Sequence, residues 1–173
     1  MSNFIDQMAA KSQGVLRGNR FKVKIFFPPV LGLIEETNMM EFYVMSDSIP
    51  SKTIGMLEVP VAGGAKLKVP GDAVVPDWAF NYMHDTKMKI RKAFARWGEY
   101  MYSNVTGMAR NDASVFGSAE VSQMSTTNEV VNIWEMVKIF PTDAGSVEQD
   151  KASNDEFMTS DVSMAVNDII EIL

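Results

Sequence analysis

The chain has no cysteine and a single histidine among its 173 residues. Without cysteine there is no disulfide and no thiolate metal site, and the absence suits folding in a reducing cytosol. With His84 as the lone imidazole, a nucleophile–base pair or a histidine metal centre would have to be built around that one side chain. His84 follows an extended segment as His84-Asp85, where a polar turn residue is the plainer reading. No phosphate-loop or dinucleotide glycine pattern occurs, and Gly55, Gly63, Gly64 and Gly71 fit turns. The carboxylate pairs Glu35-Glu36 and Asp155-Glu156 fall in stretches that read as loops, where solvated charge accounts for them. These absences predict a protein that is not an enzyme and uses no cofactor and no metal. The longest apolar run, Ile25 to Ile34, is broken by Pro28-Pro29 and is too short to span a bilayer. Met1 to Arg20 lacks the apolar centre of a signal peptide. No stable membrane association is expected.

What is present begins with charge. The net charge is -6, and it is unevenly spread. Residues 1–110 carry 14 Lys and Arg against 10 Asp and Glu, whereas residues 111–173 carry 2 against 12. Such asymmetry predicts one folded domain with a basic side and an acidic side. The apolar content of 46% is that of a globular chain, and one domain of this length hides roughly 70% of its unfolded surface.

Periodicity gives the elements. Phe4, Ile5, Met8 and Ala9 stand at helical spacing after Ser2-Asn3, a capping pair. Arg20 to Phe27 alternates, with Phe21, Val23, Ile25 and Phe27 on one face, and reads as a half-buried strand ended by Pro28-Pro29. Met40 to Met45 reads as a second strand. Gly55 to Val61 and Ala65 to Val69 flank Gly63-Gly64, a hairpin signal, because tight hairpin turns need φ > 0. Pro60 places that hairpin at an edge, projecting from the body over residues 55–71. Asp77 to Met83 puts Trp78, Phe80 and Tyr82 on one face of a strand. Ile90, Phe94, Trp97 and Met101 form one narrow apolar stripe of a helix, with Lys87, Lys89, Arg91, Lys92 and Arg96 around it. Glu120 to Met124 is a weak strand, Glu129 to Phe140 a long one, and Pro141 to Gly145 a turn. From Glu156 to Val166, Met158, Val162, Met164 and Val166 alternate with Thr159, Asp161, Ser163 and Ala165. The expected fold is mainly β (α+β): a β-sandwich or barrel with one flanking amphipathic helix, in a single domain over 1–173 with an N-terminal arm over 1–17.

The order of these pieces resembles the tail tube proteins of contractile-tailed, T-even-like (myovirus-type) phages. The resemblance runs through Arg17 to Val23, Asp47-Ser48-Ile49-Pro50, Val59 to Gly63 and Pro70-Gly71-Asp72. It continues through Pro76 to Asp85, Arg91 to Trp97, Trp134 to Asp143 with Phe140-Pro141-Thr142, and Val162 to Asn167. Phe27 to Met40 is longer than a simple turn, Asn104 to Asn128 has no match, and Ile169 to Leu173 is an apolar end suited to a neighbour.

The resemblance implies a structural subunit that stacks as hexameric rings into the hollow inner tube of a virion tail, assembled in the host cytoplasm. Strands from six subunits would close one inner barrel, leaving no edges. The partners it implies are the chain itself, a tail sheath protein, a baseplate tube initiator and a tail terminator, with genomic DNA passing transiently and unspecifically. Three sets of residues receive roles within that frame. Thr159, Asp161 and Ser163 are expected to face the lumen. Met56, Glu58, Pro60, Gly63, Gly64, Lys66 and Lys68 of the hairpin are expected to meet another subunit. Lys87, Lys89, Arg91, Lys92 and Arg96 are expected to face the sheath. A baseplate tube initiator, a tube protein of a toxin-injection particle, and a soluble ligand-binding β-domain are the competing readings.

Overall fold

The computed structural model describes residues 16–61, 63–147 and 157–172. The helix expected at Phe4 to Ala9 lies outside them. Six antiparallel strands form the main sheet: β1 (Phe21–Phe26), β2 (Val44–Ser48), β5 (Trp78–Met83), β8 (Gly117–Met124), β9 (Val130–Asp143) and β10 (Thr159–Ile172). Their order is β1-β8-β9-β10-β5-β2. Two further strands, β3 (Thr53–Pro60) and β4 (Lys66–Val74), pair only with each other, as do the short β6 (Tyr102–Ser103) and β7 (Met108–Ala109). Two α-helices occur among the described residues, α1 (Ile34–Tyr43) and α2 (Lys89–Met101).

The alternation seen in the sequence selects the buried face. Val23 and Ile25 of β1, Trp78, Phe80 and Tyr82 of β5, and Val162, Met164 and Val166 of β10 all point into one core. Ile90, Ala93, Phe94 and Trp97 of α2 close that core from above. Phe94 lies with its ring centroid 5.5 Å from Phe27 and 6.0 Å from Tyr82, distances at which aromatic pairs attract beyond simple burial. Trp97 donates its indole N–H to the Val115 carbonyl at 2.8 Å, satisfying its polar atom. Gly117 sits beneath that indole. A Cβ there would come 2.5 Å from the Phe26 carbonyl and 2.8 Å from Trp97, so only glycine lets the strand pass under the helix.

Three expectations are corrected. Met40 to Met45 is not one strand: it is the last turns of α1 followed by the start of β2. A six-residue segment is too short for a period of 2 or 3.6 to declare itself; Met40, buried in the core, lies in the helix. Glu35 and Glu36 lie in the first turn of α1 rather than in a loop, and their charge suits the helix dipole there. Pro141 does not begin a turn. β9 continues to Asp143, and Pro141 sits beside a β-bulge where the pairing with β10 shifts, a place where a missing N–H is tolerated.

α1 packs along β1 and leads straight into β2, the strand at the other end of the sheet. It thereby bridges the two edges of a sheet curled into a nearly closed barrel. The curl has a visible corner. Lys138 adopts φ 54° opposite Asn167, whose side-chain amide donates to the Lys138 carbonyl at 2.7 Å. Before this corner Ile139 and Val166 point into the core; after it Met136 and Ile169 do.

Candidate functional site

The described residues hold no cluster of three or more metal-ligating side chains. His84 is a turn residue tied to the fold. Its Nε2 lies 2.9 Å from the Ser160 hydroxyl, and that hydroxyl donates to the Ser146 carbonyl at 2.8 Å. Burial, with Arg91 nearby, holds the imidazole below its ordinary pKa, so it is neutral at pH 7. Tyr82 is pushed up to about 12, chiefly by burial.

The three sets of residues singled out above lie on three separate parts of the surface. The first is the sheet face away from the core. Thr159 and Asp161 are exposed and Ser163 is half-buried there, between Ser160, Val162 and Met164, which point inward. Across the strands Asp161 stands opposite Asn81, and Asn81 stands opposite Ser46; Ser163 stands opposite Ala79, and Ala79 opposite Ser48. The Asn81 amide donates to Asp161 Oδ1 at 2.9 Å. The result is a smooth surface of small polar groups with one carboxylate. The backbone of Asp161 is also fixed from behind. Gly145, at φ 75°, approaches it so closely that a Cβ would meet the Asp161 carbonyl at 2.0 Å.

The second surface is the β3–β4 hairpin, longer than expected by a few residues at its base. Its turn places Gly63 and Gly64 at φ 91° and 81°, which L side chains rarely adopt. Gly55 and Gly71 serve close approach rather than a turn: a Cβ on Gly71 would lie 3.2 Å from the Gly55 carbonyl carbon. Direct cross-strand pairing sorts the side chains by face. Met56 with Pro70, Glu58 with Lys68 and Pro60 with Lys66 form a mixed face, with Glu58 and Lys66 in an ion pair at 2.7 Å. Leu57 with Val69 and Val59 with Leu67 form the other face, wholly apolar, and Leu57 and Leu67 are 59% and 55% exposed. Of the residues named from sequence, Met56, Glu58, Pro60, Lys66 and Lys68 fall on the mixed face and Gly63 and Gly64 in the turn; the apolar face was missed. The alternation Leu57, Val59, Val61 and Leu67, Val69 is the signal that could have found it.

The third surface is α2. Its apolar stripe is buried in the core, so its exposed cations face away from it. They are not a uniform row. Lys89 pairs with Glu35 at 2.9 Å, and Arg91 donates to the Ala144 carbonyl at 2.7 Å. Lys92 donates to the Lys87 carbonyl at 2.9 Å. Lys87, Lys92 and Arg96 are exposed. Arg96 borders a shallow groove with Leu31, Glu99, Tyr100 and Arg110, and Arg110 stacks 4.6 Å above the Tyr100 ring. Asp85, ahead of the helix, accepts from the backbone N–H of Lys89 at 2.7 Å, which satisfies one of the helix's free first-turn donors.

No protein-family model matches the chain. Among individual proteins, the chain is 21% identical over 149 residues to the tail tube protein of Serratia phage KSP90, covering 86% of this chain and 84% of that one. It is 26% identical over 170 residues to the tail tube protein gp19 of Enterobacteria phage T4, covering 95% and 98%. Among solved structures, a chain of the sheath–tube complex of an extracellular contractile injection system, in its extended state, shares the fold over 99% of both chains, with a TM-score of 0.66 at 14% identity.

Proposed function

We propose that this chain is the structural subunit of a hollow tail tube, stacked as six-membered rings inside a contractile sheath, with no catalytic role. The observation that carries the reading is the β3–β4 hairpin. Its Leu57, Val59 and Leu67 side chains are exposed, and among the described residues it pairs with no other strand. A two-stranded hairpin alone is marginal in water, and a contiguous exposed apolar face marks a protein contact. Such a hairpin suits a subunit that is completed by its neighbours. The likeness to phage tail tube proteins along most of the chain supports the same reading.

The polar sheet face with Thr159, Asp161 and Ser163 lines the lumen in this reading. It offers passing DNA hydroxyls, amides and one carboxylate per subunit, with no cation among those residues to hold a phosphate. The outer side of α2 meets the sheath through Lys87, Lys92 and Arg96, while Lys89 and Arg91 hold the domain together. The hairpin meets another subunit. A baseplate initiator and a terminator would bound the tube, which forms in the host cytoplasm and ends in the virion tail. The shared fold with a contractile injection system favours, as a second reading, a tube that carries a protein cargo.

Negative-stain electron microscopy of the purified chain at rising concentration, alone and with a baseplate seed, tests the reading. Hollow rods or six-fold rings are the expected result. A monomer under both conditions would count for the ligand-binding β-domain instead.

A further inference from the structure

His84 Nδ1 and the Tyr82 hydroxyl are buried polar atoms with no hydrogen-bond partner among the described residues. The bonds around them fix where the imidazole proton sits. A carbonyl only accepts, so the Ser160 hydroxyl directs its hydrogen to Ser146 at 2.8 Å. The Ser160 oxygen can then meet His84 Nε2, 2.9 Å away, only as an acceptor. The neutral imidazole therefore carries its hydrogen on Nε2, and the buried Nδ1 is bare. The far end of this chain of bonds is the segment that leaves β9. Residues 144–146 are held at three points: Arg91 donates to the Ala144 carbonyl at 2.7 Å, the Gly145 N–H donates to Asp143 Oδ1 at 2.8 Å, and Ser160 holds Ser146. Gly145, in the middle, lies against the Asp161 backbone.

We propose that His84 is an acid-operated latch: neutral, it holds residues 144–146 against β10 through Ser160, and protonated, it lets them go. Protonation puts a hydrogen and a charge on Nδ1, a buried atom with no acceptor. The groups facing the ring come from four places. Tyr82 of β5 meets it edge-on, with ring centroids 5.1 Å apart, and stays uncharged. Ser160 of β10 already takes the Nε2 hydrogen. Arg91 of α2 repels a second cation. Asp85 alone attracts one, and its carboxylate is engaged by the backbone N–H groups of Lys87 and Lys89 at 3.1 and 2.7 Å. Burial and Arg91 outweigh Asp85, so the folded imidazole takes its proton less readily than a free one. A native state of that kind has its full stability above the ordinary histidine pKa and loses it as pH falls through the folded value. The side chain as a whole is half-buried, so the imidazolium can turn to water. In turning it gives up Ser160 and frees that hydroxyl from the geometry that aims it at Ser146. The latch stands independently of the tube reading; within that reading, acid loosens the support behind Asp161.

Amide hydrogen exchange of the full chain, followed by mass spectrometry between about pH 8 and 5 and corrected for intrinsic rates, tests the latch in the peptide spanning residues 144–147. His84→Gln keeps an N–H donor but takes up no proton; Ser160→Ala removes the link. Circular dichroism checks that both fold. The parent should lose protection in acid, by ~10-fold for each unit by which His84 titrates below an open histidine. His84→Gln should stay protected throughout, and Ser160→Ala should exchange fast at every pH. The peptide over Gly117–Met124 of β8 should not change, because the release is local. Parent protection that ignores pH, an acid loss that His84→Gln shares, or a loss that extends to β8 overturns the latch. If His84→Gln does not fold, Ser160→Ala decides: exchange that still rises with acid in that variant overturns it as well.

Discussion

Gly145 and Asp47 show how far single residues set this domain. Gly145 combines a positive φ with a backbone contact that no side chain could share. Replacing it with alanine strains the backbone by about 1–3 kcal/mol and forces the Asp161 carbonyl aside. Gly145→Ala is thus expected to lower the unfolding midpoint and displace the polar face, while Gly18→Ala, with open space around it, should do neither. A denaturant titration of both variants checks this. Asp47 is a half-buried carboxylate on β2 that accepts the Trp78 indole N–H, and its partial burial raises its pKa above the ordinary value. A raised folded pKa means the native state holds the proton more readily. Its contribution to stability is full below the ordinary carboxylate pKa and is lost as pH rises through the folded value. Asp47→Asn keeps an oxygen for Trp78 and removes the charge. The variant should gain stability over the parent at neutral pH, and the difference should close in acid, measured by urea unfolding at the two pH values. Tyr82 and Trp78 are buried in the same layer, so fluorescence reports the transition.

At the scale of elements, what could be foreseen followed from how many turns or alternations a segment offers. β5 and α2 were legible because three aromatic residues at period two, and four apolar residues at helical spacing, each leave one geometry open. Phe94 sits at the centre of that helix stripe, against Phe27, Phe80, Tyr82 and Trp97. Phe94→Ala should cost about 3–5 kcal/mol, and Lys92→Ala less than about 0.5 kcal/mol, by thermal unfolding. α1 was not legible. Ile34 and Phe42 are exposed while Met40 is buried, so its apolar residues mark no single stripe and its identity comes from contact with β1. The corner at Lys138 was equally hidden, because nothing in Val137-Lys138-Ile139 announces a positive φ. The hairpin was visible as a hairpin through Gly63-Gly64, but its apolar face was passed over in favour of its charged one. Its isolation yields a clean prediction. Gly55 and Gly71 already lie in backbone contact, so residues 56–70 can be replaced there by a short turn. The shortened chain should keep its far-ultraviolet spectrum and a midpoint within a few degrees of the parent, and should not assemble.

For the whole molecule, the uneven charge acquires a direction. The exposed cations of α2 point away from the core, and so does Asp161, from the acidic C-terminal third, on β10. In the proposed ring the cations of α2 would face outward and Asp161 would repeat around the lumen. A duplex carries about one charge per 1.7 Å, and each phosphate held by a cation must release counterions to bind and recapture them to leave. A lumen with carboxylates and amides gives DNA nowhere to stop, within a Debye length of about 8–10 Å. Asp161→Asn preserves the acceptor for the Asn81 amide, so it should leave fold, assembly and DNA passage nearly unchanged. Asp161→Lys is the informative change. It faces solvent and should assemble, but it converts each ring from a set of anions to a set of cations. Tubes of this variant should retain DNA at low salt, with the retention falling steeply between 50 and 200 mM salt, read by fluorescence of labelled duplex co-sedimenting with the tubes. Equal retention by parent and variant at every salt would place Asp161 on the outside of the tube.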